Sequence, residues 1–215
     1  MSAIALHDYE LSAECYAVRL LLSFLGVEYE RCPVDVYPGA EHEGPAFRRM
    51  SPLARVPVLE ADGVVLWDWV AILTFLASTR DPGRTWLPEG DAAQSALLAQ
   101  WLGVARELDG SAGLARLSVS MFVEADVEAC RARAHRLLRM LDEHLWFQER
   151  RGRSWVLDGP HPSLADLAPF PSIMLCEEAG VDRRHYPAIR RWADRFRRTP
   201  GFTVMSGVFP AAPAA

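Results

Sequence analysis

Ser12 and Cys15 are the first residues in the chain whose types and spacing could do chemistry. Ser12 precedes an apolar-striped segment, where it is a good helix N-cap. Free backbone N–H groups and the helix dipole favour negative charge at such an end. A hydroxyl there can donate a hydrogen bond to a thiolate and lower the pKa of the thiol; the same hydroxyl can equally serve as a cap alone. Cys15 could carry a depressed pKa of its own in the first helical turn, although its place favours burial. Asp68 stands at the start of another helical stripe, where a carboxylate has a plain capping explanation. Arg55 can hold a carboxylate through two N–H groups at once, yet it and His42 also read as solvated loop residues. His144 has no second ligand at metal spacing, and Cys15, Cys32, Cys130 and Cys176 form no C-x-x-C or zinc-like pattern, so no metal site is expected.

The elements that must position these residues centre on Arg55 to Ala77, which reads as strand, tight turn, strand, helix. Val58-Leu59 and Val64-Val65-Leu66 are short apolar runs joined by Ala61-Asp62-Gly63, where Asp-Gly signals a hairpin. From Asp68 the period changes: Val70, Leu73 and Ala77 share one helical stripe, widened by Trp69, Ile72 and Leu76. Pro57 cannot donate to a ladder, so it opens the strand or lies at its edge. The Val56-Pro57 bond is a candidate cis peptide that would expose the backbone of Val56. Upstream, residues 3–6 read as a strand, Leu11 to Gly26 as a helix capped by Ser12 and Gly26, and Tyr29 to Val36 as a second strand. The Pro- and Gly-rich segment from Tyr37 to Pro52 reads as a loop with at most a helical turn near Phe47.

After the Asp81-Pro82-Gly83-Arg84 turn no further strand pair appears. Helices are expected over Asp91 to Leu108, Glu124 to about Arg150, and Ile189 to Phe196, with a capping-box-like start at Ser163 to Asp166. Pro169 and Pro171 predict a kink or a late start there, and residues 207–215 read as a loose tail. The chain has 215 residues, is 50% hydrophobic and 24% charged, and carries a net charge of −5. Those values suit a globular protein with a sizeable core and argue against general nucleic-acid binding. No apolar run approaches the roughly 20 residues that span a bilayer, so no membrane partner is expected. The N-terminus opens directly into a strand-like run without a basic n-region, so no secretory signal is expected; the scattered cysteines read as reduced thiols in a cytoplasmic protein. All 23 basic residues are arginine, for which there is no physical account. The clusters Arg131 to Arg139 and Arg183 to Arg198 read as solvated helix faces.

The Val-Pro, Asp-Gly and helix-start pattern of residues 56–77 resembles the second half of the thioredoxin-like domain of glutathione transferases, which carry a Glu-Ser pair where this chain has Asp68-Trp69. Leu11-Ser12 with Cys15, Ala17 and Val18 is similar to the serine-type, theta-like members. Gly159, Ser163, Ala165 and Asp166 resemble that family's helical-domain signature, and Tyr186 to Trp192 is similar to bacterial members. The resemblance spans nearly the whole chain. It implies an α/β thioredoxin-like N-terminal domain over 1–79, followed by an all-α C-terminal helical domain over 86–210. It implies glutathione as co-substrate, with Ser12 activating its thiol. The nucleophilic cysteine of thioredoxins is replaced by Ser12, so the reactive sulfur would come from the ligand. Asp68 would meet the α-amino group of the γ-glutamyl end, and Trp69 would keep only a backbone N–H where a serine usually holds the γ-glutamyl carboxylate. Val56 would pair through its main chain with the cysteinyl part, and Arg55 and His42 would meet the glycyl carboxylate. Trp101 and Arg106 could line an acceptor pocket, with core packing the better reading of Trp101. The implied partners are a small apolar electrophile and a second copy of the chain. Two other readings stay open: a non-catalytic scaffold whose old site Trp69 fills, and a glutathione-dependent disulfide reductase.

Overall fold

The computed structural model describes residues 4–87 and 92–205. They divide into two units, residues 4–72 with 201–205 and residues 73–200, and the division falls within one helix.

The first unit is a four-stranded sheet with helices, in the order β1 (Ala5–Asp8), α1 (Ala13–Leu25), β2 (Glu30–Pro33), α2 (Pro45–Arg48), β3 (Val58–Ala61), β4 (Val64–Leu66) and the start of α3 (Trp69–Arg80). The strand order is β2-β1-β3-β4. β1 runs parallel to β2, with His7 opposite Cys32, and antiparallel to β3, with His7 opposite Val58. β3 pairs antiparallel with β4, Leu59 opposite Leu66. This is the expected strand-helix-strand, then strand-strand-helix order. The hairpin turns at Asp62 and Gly63, both at positive φ (50° and 81°), the two-residue conformation that matches the strands' own twist.

Two strands differ from the sequence reading. The first runs on to Asp8, and the second stops at Pro33 instead of Val36, because β1 ends opposite Pro33 and offers nothing further to pair with. The Val34 N–H takes the last available acceptor, the Asp8 carbonyl, at 2.9 Å. α1 buries Cys15, Tyr16, Val18 and Leu20 to Leu22 among others, and ends at Gly26 in the left-handed conformation (φ 61°), whose N–H closes on Leu22 and Ser23. Residues 201–205 return along α1: Ser23 Oγ donates to the Gly201 carbonyl and Tyr16 Oη to that of Thr203, both at 2.7 Å.

The second unit is helical, with α4 (Ala92–Leu108), α5 (Leu114–Met121), α6 (Val127–Arg150), α7 (Leu164–Leu167), α8 (Phe170–Leu175) and α9 (Pro187–Phe196). α4 passes into α5 through a π-helical segment, Asp109–Gly113. The sequence reading missed α5, which continues from that segment. α6 starts three residues later than expected, where Asp126 caps the Ala129 N–H at 3.0 Å. The prolines break the next helix in two: Pro169 precedes α8 and Pro171 falls in its first turn, where the missing N–H costs nothing. Phe170, Trp192 and Phe196 stack in the core with centroids 4.5–6.0 Å apart. Asp166 is fully buried and accepts from the N–H groups of Val156 and Ser163 and the indole of Trp192 at 2.9–3.0 Å. No helix among the described residues is long and apolar enough to cross a membrane. The tail from 207 lies outside the described residues.

Candidate functional site

The sheet topology brings the segments bearing the six candidate residues to one end of the sheet. With β1, β2 and β4 pointing the same way and β3 opposed, the C-terminal ends of three strands lie beside the N-terminal end of β3. Ser12 follows β1, the loop bearing His42 follows β2, Arg55 and Val56 lead into β3, and Asp68 and Trp69 follow β4.

Ser12 is the N-cap of α1, buried, with its Oγ accepting the Cys15 N–H at 3.1 Å. The same hydroxyl donates to Glu14 Oε2 at 2.7 Å. Cys15 is fully buried and its Sγ accepts the Tyr9 N–H at 3.4 Å. Burial, with Asp8 and Glu14 nearby, pushes its thiol far up, so Cys15 has neither the exposure nor the acidity of a nucleophile.

Below Ser12 lies a charge cluster that the sequence reading did not find. Asp8 is buried at the end of β1 and ion-paired with both Arg19 and Arg31, and Arg31 also pairs with Glu10. Arg19 further donates to the carbonyls of Glu10 at 2.9 Å and Tyr9 at 3.4 Å. The turn from Tyr9 to Leu11 is thereby fixed through its main chain, and Ser12 with it. The signal available was an arginine inside the apolar run Ala17-Val18-Arg19-Leu20, where an unpaired charge could not stay.

Val56 lies outside the β3 ladder, joined to Pro57 by a cis peptide. Among the described residues neither its N–H nor its C=O has a hydrogen-bond partner. Its side chain packs with Val36 and Met50 on a small core of Val34, Phe47 and Val58. Ser51 sets the approach to it: fully buried, it donates to the Arg55 carbonyl at 2.9 Å and accepts the Arg55 N–H at 3.0 Å. The Arg55 side chain itself is exposed. His42 lies in a short 3-10 turn, Glu41–Glu43, with a buried Nδ1 that has no partner among the described residues. Asp68 caps α3 through the Ala71 N–H at 2.9 Å. Trp69 is buried, 9% exposed, and its backbone N–H, first in the helix, has no acceptor among the described residues.

In the second unit Trp101 is buried against His144, centroids 4.5 Å apart, and His144 Nε2 meets the Val156 carbonyl at 2.8 Å. Both are packing residues; Arg106 is exposed. No group of three or more His, Cys, Asp or Glu among the described residues could hold a metal ion.

The profile of the family described as "Glutathione S-transferase, N-terminal domain" matches residues 4–78. The chain is 31% identical over 203 residues to the maleylacetoacetate isomerase of Rhizobium meliloti (strain 1021), covering 90% of this chain and 93% of that one. It is 28% identical over 222 residues to Glutathione S-transferase F13 of Arabidopsis thaliana, covering 98% of each. Among solved structures, the glutathione S-transferase from Pseudomonas fluorescens Pf-5 matches with a TM-score of 0.82 at 26% identity, over 95% of this chain and 100% of that one.

Proposed function

The chain belongs to the glutathione S-transferase family, and from that membership we propose that it binds glutathione at this end of the sheet and activates its thiol for attack on a small apolar electrophile. The observation that carries the reading is that Ser12, the unpaired main chain of Val56, and the α3 start at Asp68–Trp69 all adjoin one end of the sheet. Val56 offers an N–H and a C=O in the manner of a strand awaiting a partner. On this reading Asp68 meets the α-amino group, and the free Trp69 backbone N–H meets the γ-glutamyl carboxylate. Arg55 and His42 are the residues we assign to the glycyl carboxylate. Ser12 stabilises the thiolate that forms beside it. The same reading makes the protein a cytoplasmic homodimer acting in detoxification.

A second reading, isomerisation, is favoured by the relative named maleylacetoacetate isomerase. An isomerisation leaves the composition of its substrate unchanged and consumes no thiol, whereas transfer consumes one per turnover. Loss of free thiol during turnover separates the two.

The test is thermal unfolding with and without millimolar glutathione, then turnover of Ser12→Ala. Ligand at about 100 times its Kd adds roughly 2.7 kcal/mol. Protection that survives Ser12→Ala while turnover collapses supports the reading. A cooperative melt that glutathione does not move overturns it in favour of a scaffold.

A further inference from the structure

The proton of Ser12 is already committed. The hydroxyl accepts the Cys15 N–H at 3.1 Å and donates to Glu14 Oε2 at 2.7 Å. A hydroxyl has one proton and two acceptor positions, so what remains to Ser12 is a single lone pair. That lone pair fits a donor. The neutral S–H of a thiol satisfies it and a thiolate does not, so in this arrangement Ser12 faces an incoming thiol as an acceptor.

We infer that Glu14 is the proton acceptor in thiolate formation, acting through Ser12; this rests on the reading that Ser12 meets the glutathione sulfur. In the step the S–H bond breaks and its proton passes to Ser12 Oγ, while the Ser12 O–H proton passes to Glu14 Oε2. The bonding electron pair stays on sulfur. Ser12 then holds a proton directed at the sulfur, so the hydroxyl has changed from acceptor to donor without releasing the Cys15 N–H. Glu14 lies in the first turn of α1 and is only partly buried, so it passes its proton to water, and the balance is one proton from thiol to solvent. The shift needs two short proton movements and no change of rotamer. It also explains how a hydroxyl that starts bonded to a carboxylate can end bonded to a thiolate.

Glu14→Gln tests this, since the amide oxygen still accepts the Ser12 hydroxyl but cannot take its proton. The full-length protein is mixed with glutathione in a stopped-flow instrument, following the ultraviolet absorbance of the thiolate and proton release to a pH dye. Glutathione affinity is measured separately by calorimetry. The expected result is thiolate formation slowed on the order of 100-fold, with affinity and melting temperature as in the parent. Glu14→Ala, which removes both the acceptor and the hydrogen bond, should be equally slow. A rate in either variant equal to or faster than the parent's overturns the inference, because Glu14 then only diverts the hydroxyl from sulfur. A parent that binds no glutathione overturns the site reading and the inference together. Binding measured on the parent distinguishes the two failures.

Discussion

Arg19 grips the buried carboxylate of Asp8 while donating to the carbonyls of Tyr9 and Glu10, so the turn that presents Ser12 hangs on a charge pair. The pair is well enclosed, with 13% of the Arg19 side chain and none of the Asp8 side chain exposed. Breaking such a pair from one side leaves an uncompensated buried charge, which costs about 3–5 kcal/mol.

Asp8→Asn should therefore lower the melting temperature by roughly 6–20 °C. It should also lower turnover more than a stability loss explains, since the Ser12 turn loses its anchor. An unchanged melt would show that Arg19 keeps its position through the carbonyls alone and Arg31 through Glu10 alone.

Ser51 makes a narrower prediction. Its hydroxyl closes both main-chain groups of Arg55, one residue before the backbone proposed to pair with glutathione. Ser51→Ala leaves the partly buried N–H and C=O of Arg55 without their partner, at about 1 kcal/mol. Calorimetry should show glutathione binding weakened by on the order of tenfold, with kcat at saturation nearly unchanged. A fall in kcat with binding intact would place the loop's role in the chemistry instead.

The hairpin and its flanking helix were legible because local chemistry dictated them. Asp62 and Gly63 suit positive φ, Pro57 cannot donate, and the period switches from two to about three and a half at Asp68. Ser12 and Gly26 were legible as caps for the same reason. Asp8 with Arg19 and Arg31 was not, because the partners lie 11 and 23 residues apart and meet only once β1, α1 and β2 are assembled. The Glu14 acceptor was hidden differently. At two residues' spacing the pair was in plain view, but the rotamer that joins it belongs to the folded helix start. α5 was missed because the π segment leading into it departs from the 3.6-residue period by which helices were read.

The four thiols should divide into two pairs. Cys15 and Cys176 are buried, and burial pushes the Cys176 thiol up to about 12. Cys32 and Cys130 are partly exposed, and burial, with Glu30 and Glu60 nearby, raises the Cys32 thiol. Alkylation of the native protein at mildly alkaline pH, read by mass spectrometry, should label Cys130 first and Cys32 more slowly. Cys15 and Cys176 should react only after unfolding. Early labelling of Cys15 would revive it as a nucleophile.

Asp166 sets two effects against each other. Burial pushes its carboxyl up to about 6 from an ordinary 3.8, while donors from Ser163, Val156 and Trp192 pull it down. If burial wins, the native state takes up a proton that the unfolded chain does not, throughout the window between about 4 and about 6. The native state is then favoured as pH falls through that window, and the contribution is lost as pH rises toward 6. Two pKa units correspond to about 3 kcal/mol. Glu149 titrates in the opposite sense. Although partial burial raises its carboxyl, Arg191 and Arg195 hold it below the ordinary range, so the stability it brings is lost on acidification. A wild-type melt alone would blend the two, and the difference between wild type and Asp166→Asn isolates the buried group. The Asp166→Asn variant should be less stable at every pH, because its NH₂ must face the donors that now meet the Asp166 oxygens. The wild type should pull further ahead as pH falls from about 6 to about 4. A gap that narrows on acidification would mean that the donors outweigh burial and hold this carboxyl below its ordinary value.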